Sequence, residues 1–100
     1  MIIYNVTTRV DRQIATQWLE WTREQYIPAM IATGYFTNAV ILRLLDLEDG
    51  DDPTYAVQYY TESEELYRAY LDEISAEMRE VALNTWGDKI ISFRSVLEVV

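Results

Sequence analysis

Residues 54–83 read TYAVQYYTESEELYRAYLDEISAEMREVAL, a strand that passes through an acidic cap into an amphipathic helix. Tyr55, Val57 and Tyr59 alternate with Ala56, Gln58 and Tyr60, the period of two that a strand requires, and all but Gln58 are aromatic, β-branched or small and apolar. Beyond Thr61 the period changes. Tyr67, Tyr70, Leu71, Ile74, Met78 and Val81 follow the spacing that gathers side chains on one face of a helix. Ser63 stands where a hydroxyl can accept an orphan backbone N–H, and Glu64 and Glu65 place negative charge at the positive end of the helix dipole. Six such core-facing side chains, at about 1.5–3 kcal/mol each when fully buried, amount to on the order of 10 kcal/mol of gross burial. The helix needs a sheet to bury that face, and its own preceding strand is the nearest part of one. A fold follows from this stretch; a reaction does not.

Upstream, Ile2–Val10 alternates Ile2, Tyr4, Val6, Thr8 and Val10 against Ile3, Asn5, Thr7 and Arg9, a strand with one strongly apolar and one mixed face. Asp11 then caps a helix in which Ile14, Ala15, Trp18, Leu19, Trp21 and Tyr26 recur at helical spacing. Pro28 has no N–H and disfavours helical geometry at Ile27, so a kink or a second short turn is expected there, with helix over Ala29–Thr33 and a stop at Gly34. Tyr35–Leu47 is rich in β-formers and reads as a long second strand. Glu48–Pro53, EDGDDP, concentrates turn residues between two strands and reads as a hairpin tip. Its acidity does not make a calcium loop: counted from Asp46, the glycine falls at position five and Val57 occupies position twelve, where a glutamate is needed. Downstream of the long helix, Asn84–Asp88 holds Trp86 and Gly87 in a terminating turn. Lys89–Val100 is the last strand, with Ile91, Phe93, Ser95, Leu97 and Val99 on its apolar side. The order β-α-β-β-α-β gives an α+β, ferredoxin-like domain over residues 1–100, both helices on one face of a four-stranded antiparallel sheet.

Composition narrows the function classes. One hundred residues bury only about two thirds of the surface the unfolded chain exposes, so further burial by self-association would be useful. A formal charge of −9, from 17 acidic and 8 basic residues, opposes nucleic-acid and anionic membrane partners. The chain has no cysteine and no histidine, which removes disulfides, thiolate chemistry, imidazole-bound zinc, histidine-ligated haem and any Ser–His base. No metal and no cofactor are expected. The N-terminal MIIYNVTTRV lacks a basic region, and no apolar run is long enough to span a bilayer, so a cytoplasmic protein is expected.

MIIYNVT (1–7), TYAVQY (54–59) and FRSVLEVV (93–100) resemble a family of short bacterial proteins known as a domain of unknown function, and the likeness covers essentially the whole chain. Members share a W-x-x-W…I-P segment, here Trp18, Trp21, Ile27 and Pro28; where relatives carry His before Ile-Pro, this chain has Tyr26, so imidazole chemistry does not carry over. YYTESEELYRAYL (59–71) is similar to the dimeric α/β-barrel proteins, which include cofactor-independent monooxygenases, haem-degrading enzymes and small stress-response barrels. The resemblance implies a homodimeric binding or interaction module, with a cofactor-independent monooxygenase or isomerase acting on a small aromatic substrate as the alternative.

Two sets of residues are candidates for function. Asn5, Trp18, Trp21, Tyr26 and Tyr67 could line a pocket for a small aromatic or acidic ligand, although an aromatic stripe of this kind more often serves as plain core. If the apolar parity of every strand faces the helices, the other sheet face carries Ile3, Ile41, Tyr60 and Val96 together with Arg43 and Arg94. Open to water, that mixture makes little use of its apolar members. Burial against a second copy explains it better, with Glu98 or Asp46 of the partner pairing the arginines.

Overall fold

The computed structural model describes residues 1–48 and 50–100. The chain runs β1 (Ile2–Val10), α1 (Ala15–Trp21), α2 (Ile27–Ala32), β2 (Asn38–Arg43), β3 (Thr54–Thr61), α3 (Glu64–Glu73), α4 (Ser75–Trp86) and β4 (Ile90–Glu98). The four strands pair antiparallel in the order β2-β3-β1-β4. This is the ferredoxin-like arrangement expected from the sequence. The helices cover the face that carries Tyr4 and Val10 of β1 and Tyr55, Val57 and Tyr59 of β3, where Trp18, Met30 and Tyr70 meet them in the core. Tyr4, Phe36, Tyr59 and Tyr70 form a continuous aromatic cluster with ring centroids 4.9–6.1 Å apart. Each such pair adds about 0.5–1.5 kcal/mol to plain area burial.

The cap on α3 forms as the sequence implies. Ser63 Oγ accepts from the Leu66 N–H at 3.2 Å, and Glu64 and Glu65 lie in the first turn. The helix is not continuous, however. It breaks at Ile74 (φ −126°, ψ −29°), where Ser75 donates its hydroxyl to the Leu71 carbonyl at 2.8 Å, a side-chain bond of the type that bends helices. The break rotates the phase of α4 relative to α3. Tyr67, Leu71, Ile74 and Met78 still reach the core, but Trp86 turns inward, while Val81 is exposed.

Pro28 opens a second short helical segment, α2, which is one of the two outcomes expected there. α1 runs on through a π turn, Thr22–Tyr26, in which the Ile27 N–H bonds to the Thr22 carbonyl, and Pro28 sits in the first turn of α2. A proline cannot supply the N–H for the carbonyl four residues before it and its ring crowds that carbonyl; the wider π turn absorbs both without a break. Gly34 ends α2 at φ 88°, with its N–H on the Ile31 carbonyl. β2 covers only Asn38–Arg43 rather than Tyr35–Leu47, because β3 starts at Thr54 and the last bond beyond β2 is Leu44 N–H to the Thr54 carbonyl at 2.9 Å. The β2–β3 connection is therefore longer than Glu48–Pro53; Asp49 of that segment lies outside the described residues.

The pairing register corrects the side assigned to both edge strands. Ile41 and Arg43 stand opposite Val57 and Tyr55, and Arg94 and Val96 opposite Val6 and Tyr4, so all four are on the helix side of the sheet. Ile41 packs against the core, and the Arg43 guanidinium lies 5.7 Å from the centre of the Tyr55 ring. Alternation separates two faces of a strand but does not say which is covered, and a shift of one residue exchanges them. On the open face Ile3 and Tyr60 remain as expected. They are joined there by Val40 and Leu42 of β2 and by Ile91, Phe93 and Leu97 of β4.

Candidate functional site

Between helices and sheet lies a cavity of about 40 Å3. It is room for about three water-sized groups. Tyr4, Val57 and Tyr59 form its floor; Trp18, Trp21, Thr22, Tyr26 and Met30 come from the first helical layer; Ala82 of α4 and Ile90, Ser92 and Arg94 of β4 close its side. It adjoins an open cleft of about 150 Å3 that shares Ala82, Ile90, Ser92 and Arg94 and adds Arg79, Leu83 and Gly87. An apolar inner space thus leads to a mouth bearing two guanidinium groups.

The polar side chains around the cavity differ in how well they are satisfied. Tyr26 donates its hydroxyl to the Met78 carbonyl at 3.0 Å, and its ring lies 4.9 Å from that of Trp21. Burial pushes the Tyr26 phenol up to about 12; Tyr4 adds to the rise, and Arg94 and Arg79 oppose it. Burial likewise raises Tyr59 and Tyr70. Arg94 donates from Nε to the Tyr4 hydroxyl at 3.1 Å, and Thr8 and Ser92 share a hydroxyl–hydroxyl bond of 2.9 Å. Thr22, only 1% exposed, is the exception: among the described residues its Oγ1 has no hydrogen-bond partner. The π turn that accommodates Pro28 is the element that carries Thr22 to the cavity wall, with its hydroxyl buried behind the surface.

Of the pocket candidates, the structure brings Trp18, Trp21 and Tyr26 together. Trp18 is also stacked on Tyr55 at 5.3 Å, and so serves the core as well as the cavity. Tyr67 packs beside Tyr4 at 5.7 Å without lining the space. Asn5 lies on the opposite sheet face, where its amide donates to Thr7 Oγ1 at 3.0 Å and Ser95 Oγ at 3.3 Å. Arg94, expected on the open face, belongs to the cavity and its mouth instead. Thr22 escapes sequence reasoning because a threonine within an apolar helical stripe looks like a space-filler; the only sequence signal for it is Pro28 six residues on. Trp86, expected in a turn, ends α4 edge-on to Trp21 at 5.7 Å, and among the described residues its indole N–H has no partner. In the acidic β2–β3 connection, Asp52 is engaged by Arg9 at 3.8 Å and Arg12 at 3.7 Å. Among the described residues no group of three or more Asp, Glu, His or Cys could hold a metal ion, and no helix is long and apolar enough to cross a membrane.

These features define a ferredoxin-like domain with an apolar cavity under its helices. The chain belongs to the family described as Domain of unknown function (DUF4286), whose model matches residues 1–100. Among solved structures it is similar to a dimeric ferredoxin-like protein from an uncultured marine organism, at 15% identity and TM-score 0.66 over 99% of this chain and 94% of that one. An ethyl tert-butyl ether d (ethd) family protein from Bacillus halodurans C-125 is similar at 12% identity and TM-score 0.65 over the full length of both chains. A dimeric ferredoxin-like protein of unknown function from Thermobifida fusca YX is similar at 19% identity and TM-score 0.56 over 97% of this chain and 92% of that one. At such identities the likeness is one of fold. No curated protein matches the chain.

Proposed function

We propose that the protein is a homodimeric binding module, one domain per chain, that holds a small and largely apolar molecule carrying a hydrogen-bonding oxygen. Thr22 carries the binding half of this reading: it stands in the wall of an apolar cavity, its buried hydroxyl has no protein partner among the described residues, and a turn of the side chain onto a ligand oxygen would relieve a cost of about 1–3 kcal/mol. The dimer half rests on the open sheet face. Ile91, Phe93 and Leu97 of β4 and Val40 and Leu42 of β2 present five exposed apolar side chains there, Phe93 with 68% of its surface in water. Such a face is the usual mark of an interface, and two of the similar structures are named as dimers. A cytoplasmic location belongs to the same reading and rests on the sequence alone.

An oxygenase or isomerase working in this cleft would need a side chain able to take a proton near neutral pH. The cavity wall has no carboxylate among the described residues, and Tyr26 keeps its proton up to about 12 with its hydroxyl committed to Met78. Binding is therefore favoured over proton abstraction. The test is a titration of small neutral, phenolic and acidic compounds followed by tryptophan emission and thermal midpoint. Occupancy should alter emission from Trp18 and Trp21 and raise the midpoint. No response across all three classes would contradict a binding site.

A further inference from the structure

The register of β4 has a chemical consequence at the cavity mouth. Arg94 projects to the helix side, lines the cleft and uses Nε on the Tyr4 hydroxyl, while its two terminal nitrogens have no hydrogen-bond partner among the described residues. Arg79 of α4 lines the same cleft. Among the described residues neither arginine has a carboxylate within 4.0 Å, although the chain carries 17 acidic residues to 8 basic ones. In so acidic a protein, two neighbouring arginines left without acidic partners make a local site for an anion. The net charge of −9 limits that anion to low charge, since each added negative charge increases the long-range repulsion. The apolar cavity behind the arginines, with Thr22 in its wall, sets the rest of the ligand.

We propose that the cleft is a site for a short oxo- or hydroxy-monocarboxylate, with the carboxylate at the mouth on Arg94 and Arg79 and the tail in the cavity, where its oxygen meets Thr22. The arrangement keeps the desolvation cost low. The charged head stays half in water on two cations, so no full charge is buried, while the tail covers Val6, Val57 and Ile90 and its single oxygen finds the unpartnered hydroxyl. Arg94 is suited to the task because its planar fork can grip a carboxylate through two parallel N–H bonds. This assignment rests on the binding reading above and adds the charge and class of the ligand.

The test uses levulinate, a short oxo-acid, and its neutral methyl ester, titrated by calorimetry and ligand-observed NMR into the full chain. Levulinate should bind at least about tenfold tighter than the ester. Arg94→Gln should lower the affinity for the acid by most of that factor, toward the affinity of the ester. Arg79→Gln, at a residue whose side chain has no hydrogen bond or ion pair among the described residues, should weaken the acid alone by a smaller factor, and it carries the test if Arg94→Gln fails to fold. Equal affinity for acid and ester, or acid binding indifferent to both arginines, would overturn the carboxylate assignment while the binding site stands. Failure of both compounds to bind would overturn the proposal, and a silent compound screen would then overturn the binding reading as well.

Discussion

Replacing Thr22 by valine exchanges one hydroxyl for a methyl group at nearly constant volume, in a side chain that is 1% exposed. Threonine and valine have similar helix propensities and the same branching at Cβ, so the local backbone has little reason to move. What changes is the unpartnered oxygen. Leaving a buried hydroxyl unsatisfied costs about 1–3 kcal/mol, and removing it returns most of that amount. Taking about 1–2 kcal/mol as the gain, and about 4–8 °C per kcal/mol for a domain of this size, Thr22→Val should raise the thermal midpoint by roughly 5–15 °C. Urea unfolding should show the same gain with an unchanged denaturant slope. Levulinate affinity should fall by about tenfold, since the ligand oxygen loses its partner. A more stable protein that binds less well marks a polar group held for a ligand rather than for the fold. A midpoint that stays or falls would show that the hydroxyl is already satisfied, and would remove the observation on which the cavity reading stands.

Other substitutions and conditions probe other parts of the molecule. Ser63→Ala should cost about 1 kcal/mol by removing the bond to the Leu66 N–H, measurable as a lower urea midpoint. Ser75→Ala removes the hydroxyl bond to Leu71 and should raise helical circular dichroism near the break at Ile74 without disturbing the core. In alkali the sign follows from the raised phenols: Tyr26, Tyr59 and Tyr70 hold their protons more tightly folded than unfolded. Their stabilisation is complete below about pH 10 and is lost as pH rises toward 12 and beyond, by up to about 1.4 kcal/mol per pH unit for each phenol. Unfolding followed by circular dichroism should begin above about pH 10, and the tyrosinate absorbance of Tyr26, Tyr59 and Tyr70 should appear with it; more tyrosinate before unfolding than the other five of the eight tyrosines can supply would refute the burial of these hydroxyls.

The strand–cap–helix stretch from Thr54 makes the fold legible, because its two periods and the Ser63 cap agree with one another and all three are formed. Local spacing does not reveal the break at Ile74, since the Ser75 side chain competes there with the helix, nor the π turn that absorbs Pro28. The site is legible in part. Trp18, Trp21 and Tyr26 share a helical face, and that face lines the cavity. Parity alone puts Arg94 and Val96 on the wrong side, because alternation does not say which row of an edge strand faces its own helices. Ile91, Phe93 and Leu97 are the row on the open face, and register rather than periodicity decides where it points.

Native mass spectrometry at micromolar concentration, on the wild type and on Phe93→Glu, tests the proposed homodimer most directly. Phe93 stands exposed on the open sheet face, away from the cavity, so a carboxylate there would put like charges into an apolar contact between two copies while sparing the core. Twice the chain mass is expected for the wild type, and one chain mass for a folded Phe93→Glu. A monomeric wild type, or a Phe93→Glu protein that remains dimeric, would contradict pairing through this face.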